Sequence, residues 1–133
     1  FNLPYHSVCT TSTHDMTPLR NWWKEDTEKT QRYYNHVLQR IGEAPDECTA
    51  EIVAQIISNH LKTRSMLTII PLQDWFAMDD SIKRKDIESE RINVPANSTH
   101  YWRYRMHITL EQLLQADNLN NKIVSLIKEA GRK

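Results

Sequence analysis

The chain has 133 residues, 39% of them hydrophobic and 26% charged, and its 17 Lys+Arg balance 17 Asp+Glu to a formal net charge of zero, which fits one folded globular unit rather than a disordered or strongly charged chain. Neutrality removes the surplus of cations on which sequence-independent phosphate binding rests, so nucleic acid is not an expected partner. Only two glycines, Gly42 and Gly131, are present, so neither G-x-G-x-x-G nor G-x-x-x-x-G-K-[ST] can be written and no nucleotide-binding loop is expected.

The opening Phe1-Asn2-Leu3-Pro4 reads as extended chain arriving from elsewhere, and the expectation is an excised piece of a longer protein. Residues 5–13 are rich in β-branched and small side chains and read as a short strand. Thr17 before Pro18 has the form of a helix N-cap followed by proline at the first helical position. Farther on, Tyr34, Val37, Leu38 and Ile41 fall on one helical stripe, with Gly42 where a terminating glycine belongs. After a turn at Ala44-Pro45-Asp46, the positions Ile52, Val53, Ile56, Ile57 and Leu61 predict a helix over about residues 49–63. Residues 65–70 form a nearly continuous apolar run ended by Pro71, as in a parallel-sheet strand covered on both faces. This is a β-α-β pattern. Residues 78–100 are polar and irregular and predict a long loop. Thr109-x-x-Gln112 is a capping box, and Leu119, Ile123, Leu126 and Ile127 line a last amphipathic helix before Gly131, after which the sequence reads as a natural C-terminus.

The apolar run at 66–71 is too short to cross a bilayer, so no membrane association is expected. Cys9 and Cys48 lack zinc-ligand spacing, and no signal peptide is visible. Free thiols in a reducing, cytoplasmic setting are expected.

Three clusters could carry chemistry. Thr13-His14-Asp15 ends a predicted strand, where ligands collect in parallel α/β folds. Asp15 there could stabilise a developing cation or hold a sugar hydroxyl, or could merely cap the next helix. Gln73 and Asp74 follow the second strand in the same way, and Asp74 could equally be an N-cap. In His100-Tyr101-Trp102-Arg103-Tyr104-Arg105, alternation puts Tyr101, Arg103 and Arg105 on one side of an extended segment and Trp102 and Tyr104 on the other. That strip could stack on bases or sugars or clamp carboxylates, or be a core Trp with surface ion pairs. Of the adjacent Trp22 and Trp23, at least one should be core. The six histidines show neither H-x-H nor i, i+4 spacing, so no metal is expected. No turn signals a Ser or Cys nucleophile.

Taken in order, these segments resemble the C-terminal end of the 4-α-glucanotransferases of glycoside hydrolase family 77, the amylomaltases and disproportionating enzymes. The family's S-V-x-Y-T-G-T-H-D appears as Ser7-Val8-Cys9-Thr10-Thr11-Ser12-Thr13-His14-Asp15, and its V-P-L-Q-D as Ile70-Pro71-Leu72-Gln73-Asp74. R-M-N-x-P and W-x-W-R appear as Arg91-Ile92-Asn93-Val94-Pro95 and Trp102-Arg103-Tyr104-Arg105. The usual Gly before Thr-His-Asp is Ser12, the Asn after it Met16, the Gly after Pro95 Ala96, and the Asn before Trp102 Tyr101. These departures resemble the divergent branch acting in maltose metabolism, whose members often carry starch-binding modules upstream.

The resemblance implies an α/β fold, helix-rich by residue count, in which residues 1–133 form the C-terminal segment of a (β/α)8 TIM barrel with strands seven and eight. It implies transfer of α-1,4-glucan segments between maltooligosaccharides by a retaining double displacement without cofactor or metal. Asp15 corresponds to the carboxylate that stabilises the transition state, and His14, Gln73, Asp74, Asn93, Trp102 and Arg103 to substrate-binding positions. The nucleophile and acid/base fall on earlier strands, so the chain alone is expected to be inactive and, with barrel edges exposed, to self-associate. The competing expectations are a non-catalytic module for glucan or single-stranded nucleic acid, using Lys83-Arg84-Lys85 and residues 102–105, and a helical scaffold without a ligand.

Overall fold

The computed structural model describes residues 2–132, so Phe1, on which the reading of the opening partly rests, lies outside the described residues. In chain order the elements are β1 (Val8–Thr10), α1 (Leu19–Glu25), α2 (Thr27–His36), α3 (Ala50–Leu61), β2 (Leu67–Ile69), α4 (Leu72–Phe76), a 3-10 turn at Glu88–Glu90, α5 (Leu110–Leu114) and α6 (Asp117–Glu129). The two strands are parallel, with Val8 opposite Leu67, Cys9 opposite Thr68 and Thr10 opposite Ile69. Three helices make the crossover between them, as the β-α-β reading expects.

Both strands are shorter than their sequence runs, three residues each. Among the described residues each has a strand partner on one edge only, and side chains take over where the ladder stops. Thr10 Oγ1 donates to the Ser12 carbonyl at 2.6 Å, and Ser7 Oγ bonds Ser65 Oγ at 2.9 Å. The expected burial of the second strand on both faces is corrected. Cys9 faces the helices and is buried, whereas Val8, Leu67 and Ile69 are 56%, 48% and 57% exposed on the opposite face. Val8 and Ile69 of that face border an open cleft.

The core lies between the helices. Ile52, Val53, Ile56, Ile57 and Leu61 of α3 are buried with Trp23, Leu38, Phe76, Met78 and Leu119, each large apolar side chain contributing about 1.5–3 kcal/mol on burial. Trp23 is therefore the core member of the Trp pair, and its indole N–H donates to the Pro45 carbonyl at 2.8 Å. The predicted α3 is found within its expected range, capped by Thr49, whose Oγ1 accepts from the Ile52 N–H at 3.3 Å. The capping box of Thr109 and Gln112 is present in both directions.

Two helix ends differ from expectation. α2 stops at His36 rather than near Gly42, because Gln39 takes the left-handed conformation at φ 54° and turns the chain away. Leu38 consequently reaches the core, while Ile41, expected on the same stripe, is 98% exposed. At α1, Thr17 is not the cap. Its hydroxyl donates to Glu25 Oε1 at 2.6 Å, and the Leu19 N–H is satisfied instead by Asp74 Oδ1 at 2.9 Å. No helix among the described residues is long and apolar enough to cross a membrane.

The irregular span at 78–100 is present as expected, but side chains tie it down. Arg84 donates to the carbonyls of Ser89 at 3.0 Å and of Arg105, and its guanidinium lies 5.3 Å from the Tyr104 ring centre.

Candidate functional site

A cleft of about 380 Å³ opens beside the C-terminal ends of the two strands. Thr13, His14 and Met16 line it from the end of β1, Ile69, Pro71 and Gln73 from β2 and its turn, and Glu90 and Ile92 from the long loop. Polar groups enter here because a strand's backbone pairing ends and the following turn must satisfy itself with side chains.

Asp15 and His14 stand side by side and half-exposed, with His14 Nε2 3.2 Å from Asp15 Oδ2. Asn93 reaches them from the long loop. Its backbone N–H donates to the His14 carbonyl at 3.2 Å, and its side-chain Nδ2–H donates to Asp15 Oδ1 at 2.6 Å. Trp102 adds an aromatic face, its ring centre 4.9 Å from that of His14 at an interplanar angle of 46°. Four sequence candidates from two distant stretches, residues 14–15 and 93–102, thus meet at one place. Asp15 does not cap α1, and Trp102 is not core, being 61% exposed.

Gln73 is buried in the cleft wall, where Nε2 donates to the Glu90 carbonyl at 3.1 Å. Asp74 is 1% exposed and turned beneath the cleft. It is a cap, but of α1 rather than of its own helix, and it also accepts from Thr11 Oγ1 at 2.5 Å. Burial raises its pKa, opposed by the hydrogen bonds from Thr11, the Leu19 N–H and Ser12. Arg103 lies over the Tyr101 ring, 4.7 Å from its centre. That contact places the two on one side of the segment, as alternation predicts.

Two residues escaped the sequence reading. Arg20 and Glu90 form a buried ion pair with Arg20 Nη1 3.1 Å from Glu90 Oε1, their side chains 9% and 3% exposed. Burial pushes the Glu90 carboxyl up to about 7, with Arg20 pulling the other way and Asp74 adding a like charge. The sequence carried little signal for the pair: Arg20 lies one turn before the core Trp23, but its other helical neighbours, Thr17 and Lys24, are polar.

The positions that depart from the glucanotransferase pattern are accommodated without strain. Gln39 is the only non-glycine with positive φ among the described residues, so neither Ser12 nor Ala96 needs a glycine's backbone freedom. Met16 puts a thioether side chain in the cleft wall where the pattern has Asn. A half-exposed carboxylate braced by an amide and an imidazole, next to an open aromatic face, can stabilise developing positive charge on a bound sugar ring.

The model of a family described as 4-alpha-glucanotransferase, glycoside hydrolase family 77, matches residues 1–111. The 4-alpha-glucanotransferase DPE2 of Oryza sativa subsp. japonica is 39% identical over 128 residues, covering 96% of this chain and 14% of its own length. The 4-alpha-glucanotransferase of Chlamydia trachomatis serovar D is 30% identical over 123 residues, covering 90% of this chain and 22% of its own. Among solved structures, amylomaltase from Streptococcus agalactiae in complex with acarbose superposes with a TM-score of 0.71 at 18% identity, over 98% of this chain and 23% of that one. The chain therefore folds like a portion of that TIM barrel, and it spans less than a quarter of the length of each of these relatives.

Proposed function

Because the chain belongs to the 4-alpha-glucanotransferase family, glycoside hydrolase family 77, we propose that it is the C-terminal part of an enzyme that transfers α-1,4-glucan segments between maltooligosaccharides. β1 and β2 are the seventh and eighth strands of the barrel, and residues 1–133 are one part of its catalytic domain. The reaction is a retaining double displacement, in which a nucleophilic carboxylate forms a glycosyl-enzyme and a second acts as acid and then base. Both of those groups lie outside this chain. Asp15 supplies the third carboxylate, stabilising the oxocarbenium-like transition state. His14 and Asn93 hold sugar hydroxyls, Trp102 offers a ring face, and Gln73, Asp74 and Arg103 complete the substrate-binding set, Asp74 acting from beneath through α1.

The observation that carries the reading is the meeting of His14, Asp15, Asn93 and Trp102 at the ends of parallel strands. The acarbose held by the similar amylomaltase supports an oligosaccharide ligand. The test has two arms, both read on a chromatographic ladder of maltodextrins. The 133-residue chain alone, incubated with maltotriose, gives no longer products. In the intact enzyme, Asp15→Asn lowers transfer by about a thousandfold. Longer products from the chain alone would refute the absence of the other two carboxylates, and undiminished transfer by Asp15→Asn would remove Asp15 from the catalytic group.

A further inference from the structure

Asp15 belongs to a closed circuit of contacts. The chain runs from Asp15 directly into α1, whose Arg20 turns inward to meet Glu90 Oε1 at 3.1 Å and the Arg84 carbonyl at 2.7 Å. Asn21, the next residue, donates from Nδ2 to Glu88 Oε1 at 3.0 Å, so α1 grips the Glu88–Glu90 turn twice. From that turn the chain continues through Ile92 to Asn93, which returns to the His14 carbonyl and to Asp15 Oδ1. α4 braces the circuit across its middle with two adjacent residues. Gln73 donates to the Glu90 carbonyl, and Asp74 accepts the Leu19 N–H at the start of α1.

We propose that the buried Arg20–Glu90 pair is a positioning device for Asp15, acting through residues 90–93 to hold the Asn93 side-chain amide against the carboxylate. A buried ion pair is a weak source of stability, since its desolvation offsets much of the attraction and apolar side chains of similar volume serve as well. Direction is what such a pair supplies: the planar guanidinium fixes the line from α1 to the loop in a way that a flexible ammonium does not. With Oδ1 taken by Asn93 and Oδ2 facing His14, the plane of the Asp15 carboxylate is set before any ligand arrives, which is the preorganisation that electrostatic stabilisation requires.

The proposal rests on the reading of Asp15 as the stabilising carboxylate, but its test needs no substrate. In nitrogen-15 spectra of the intact enzyme labelled at asparagine, Arg20→Met is expected to speed hydrogen exchange at the Asn93 side-chain amide about tenfold and to bring its two proton signals together, as the loss of one charge-assisted bond implies. The backbone signals of the asparagines in α3 and α6 stay in place, and Arg20→Lys, which keeps the charge without the planar fork, restores part of the protection. An Asn93 amide unchanged in a folded Arg20→Met enzyme overturns the proposal. Should that variant not fold, the double variant Arg20→Met with Glu90→Met, which replaces the buried pair by apolar side chains of similar volume, carries the same test with the same two outcomes. An unmoved Asn93 would leave the glucan reading standing, whereas an intact enzyme that transferred no glucan would overturn that reading and leave the Asn93 response unaltered.

Discussion

Glu90 is almost free of solvent yet forms part of the wall of an open cleft, and its carboxyl is held near 7 by burial despite the Arg20 guanidinium beside it. Because this folded-state value lies above the ordinary 4.5, the folded chain keeps a proton that the unfolded chain releases between about pH 4.5 and 7. Stability from this group is therefore greatest below that window and falls as pH rises through it, by roughly 3 kcal/mol in total. Asp74, also raised by burial, acts in the same sense. Thermal melts from pH 4.5 to 7.5 should show a shallower decline for Glu90→Gln than for the parent chain, and superimposable profiles would contradict the assignment. Asp74 makes a second prediction. Asp74→Ala strands the Leu19 N–H and the Thr11 hydroxyl and should cost about 2–4 kcal/mol in urea denaturation, whereas Asp74→Asn, which keeps one acceptor oxygen, should cost less. Equal losses would mean that the charge, not the hydrogen bonds, matters. Neither role was legible in the sequence. Asp74 caps a helix 55 residues away and Arg20 meets a glutamate 70 residues away, and local patterns carry no record of such partners. His14, Asp15, Asn93 and Trp102 were legible through the family motifs they sit in, since spacing alone left Asp15 open to a capping role.

Elements built from local interactions could be read ahead of the structure. α3, the capping box of α5 and the apolar stripe of α6 each depend on residues within a few positions of one another, so propensity, cap and periodicity agree. α2 was misjudged because its end depends on Gln39 turning left-handed, which no residue preference announces. The strands were overestimated because their length depends on neighbours across the sheet, not on their own β-branched content. One long-range clasp at this scale supports a further prediction. Arg132 donates from Nε to the Leu61 carbonyl at 2.5 Å and from Nη2 to the carbonyls of Thr63 and Ser65 at 2.8 and 2.9 Å. It thereby ties the chain just beyond α6 to the end of α3 and the entry to β2. Arg132→Ala should cost about 1–3 kcal/mol and raise amide exchange around residues 62–66, where the lost bonds fall. Exchange that rises uniformly over the chain instead would show that Arg132 contributes only global stability.

The whole molecule is lopsided: its helices share a core while its two-stranded sheet presents Val8, Leu67 and Ile69 outward. In a closed barrel such a face points inward and both strand edges are paired, so neither needs protection when the barrel is complete. In the 133-residue chain by itself the same face is an uncovered apolar patch with two unpaired edges, which favours association between copies. The sequence pointed to this face through its apolar run but misjudged its burial, because an inward strand face and a fully covered strand look alike in composition. Light scattering at micromolar concentration should therefore report a mass above 15.7 kDa. Ile69→Lys places a charge on a side chain already 57% exposed, so it should lower that mass toward the monomer with a change in stability of no more than about 0.5 kcal/mol. A parent chain that stays monomeric at these concentrations would show that the exposed face is not sticky enough to drive assembly. Association that persists undiminished in Ile69→Lys would place the contact elsewhere, with the exposed Leu110 and Leu114 of α5 as the next surface to charge.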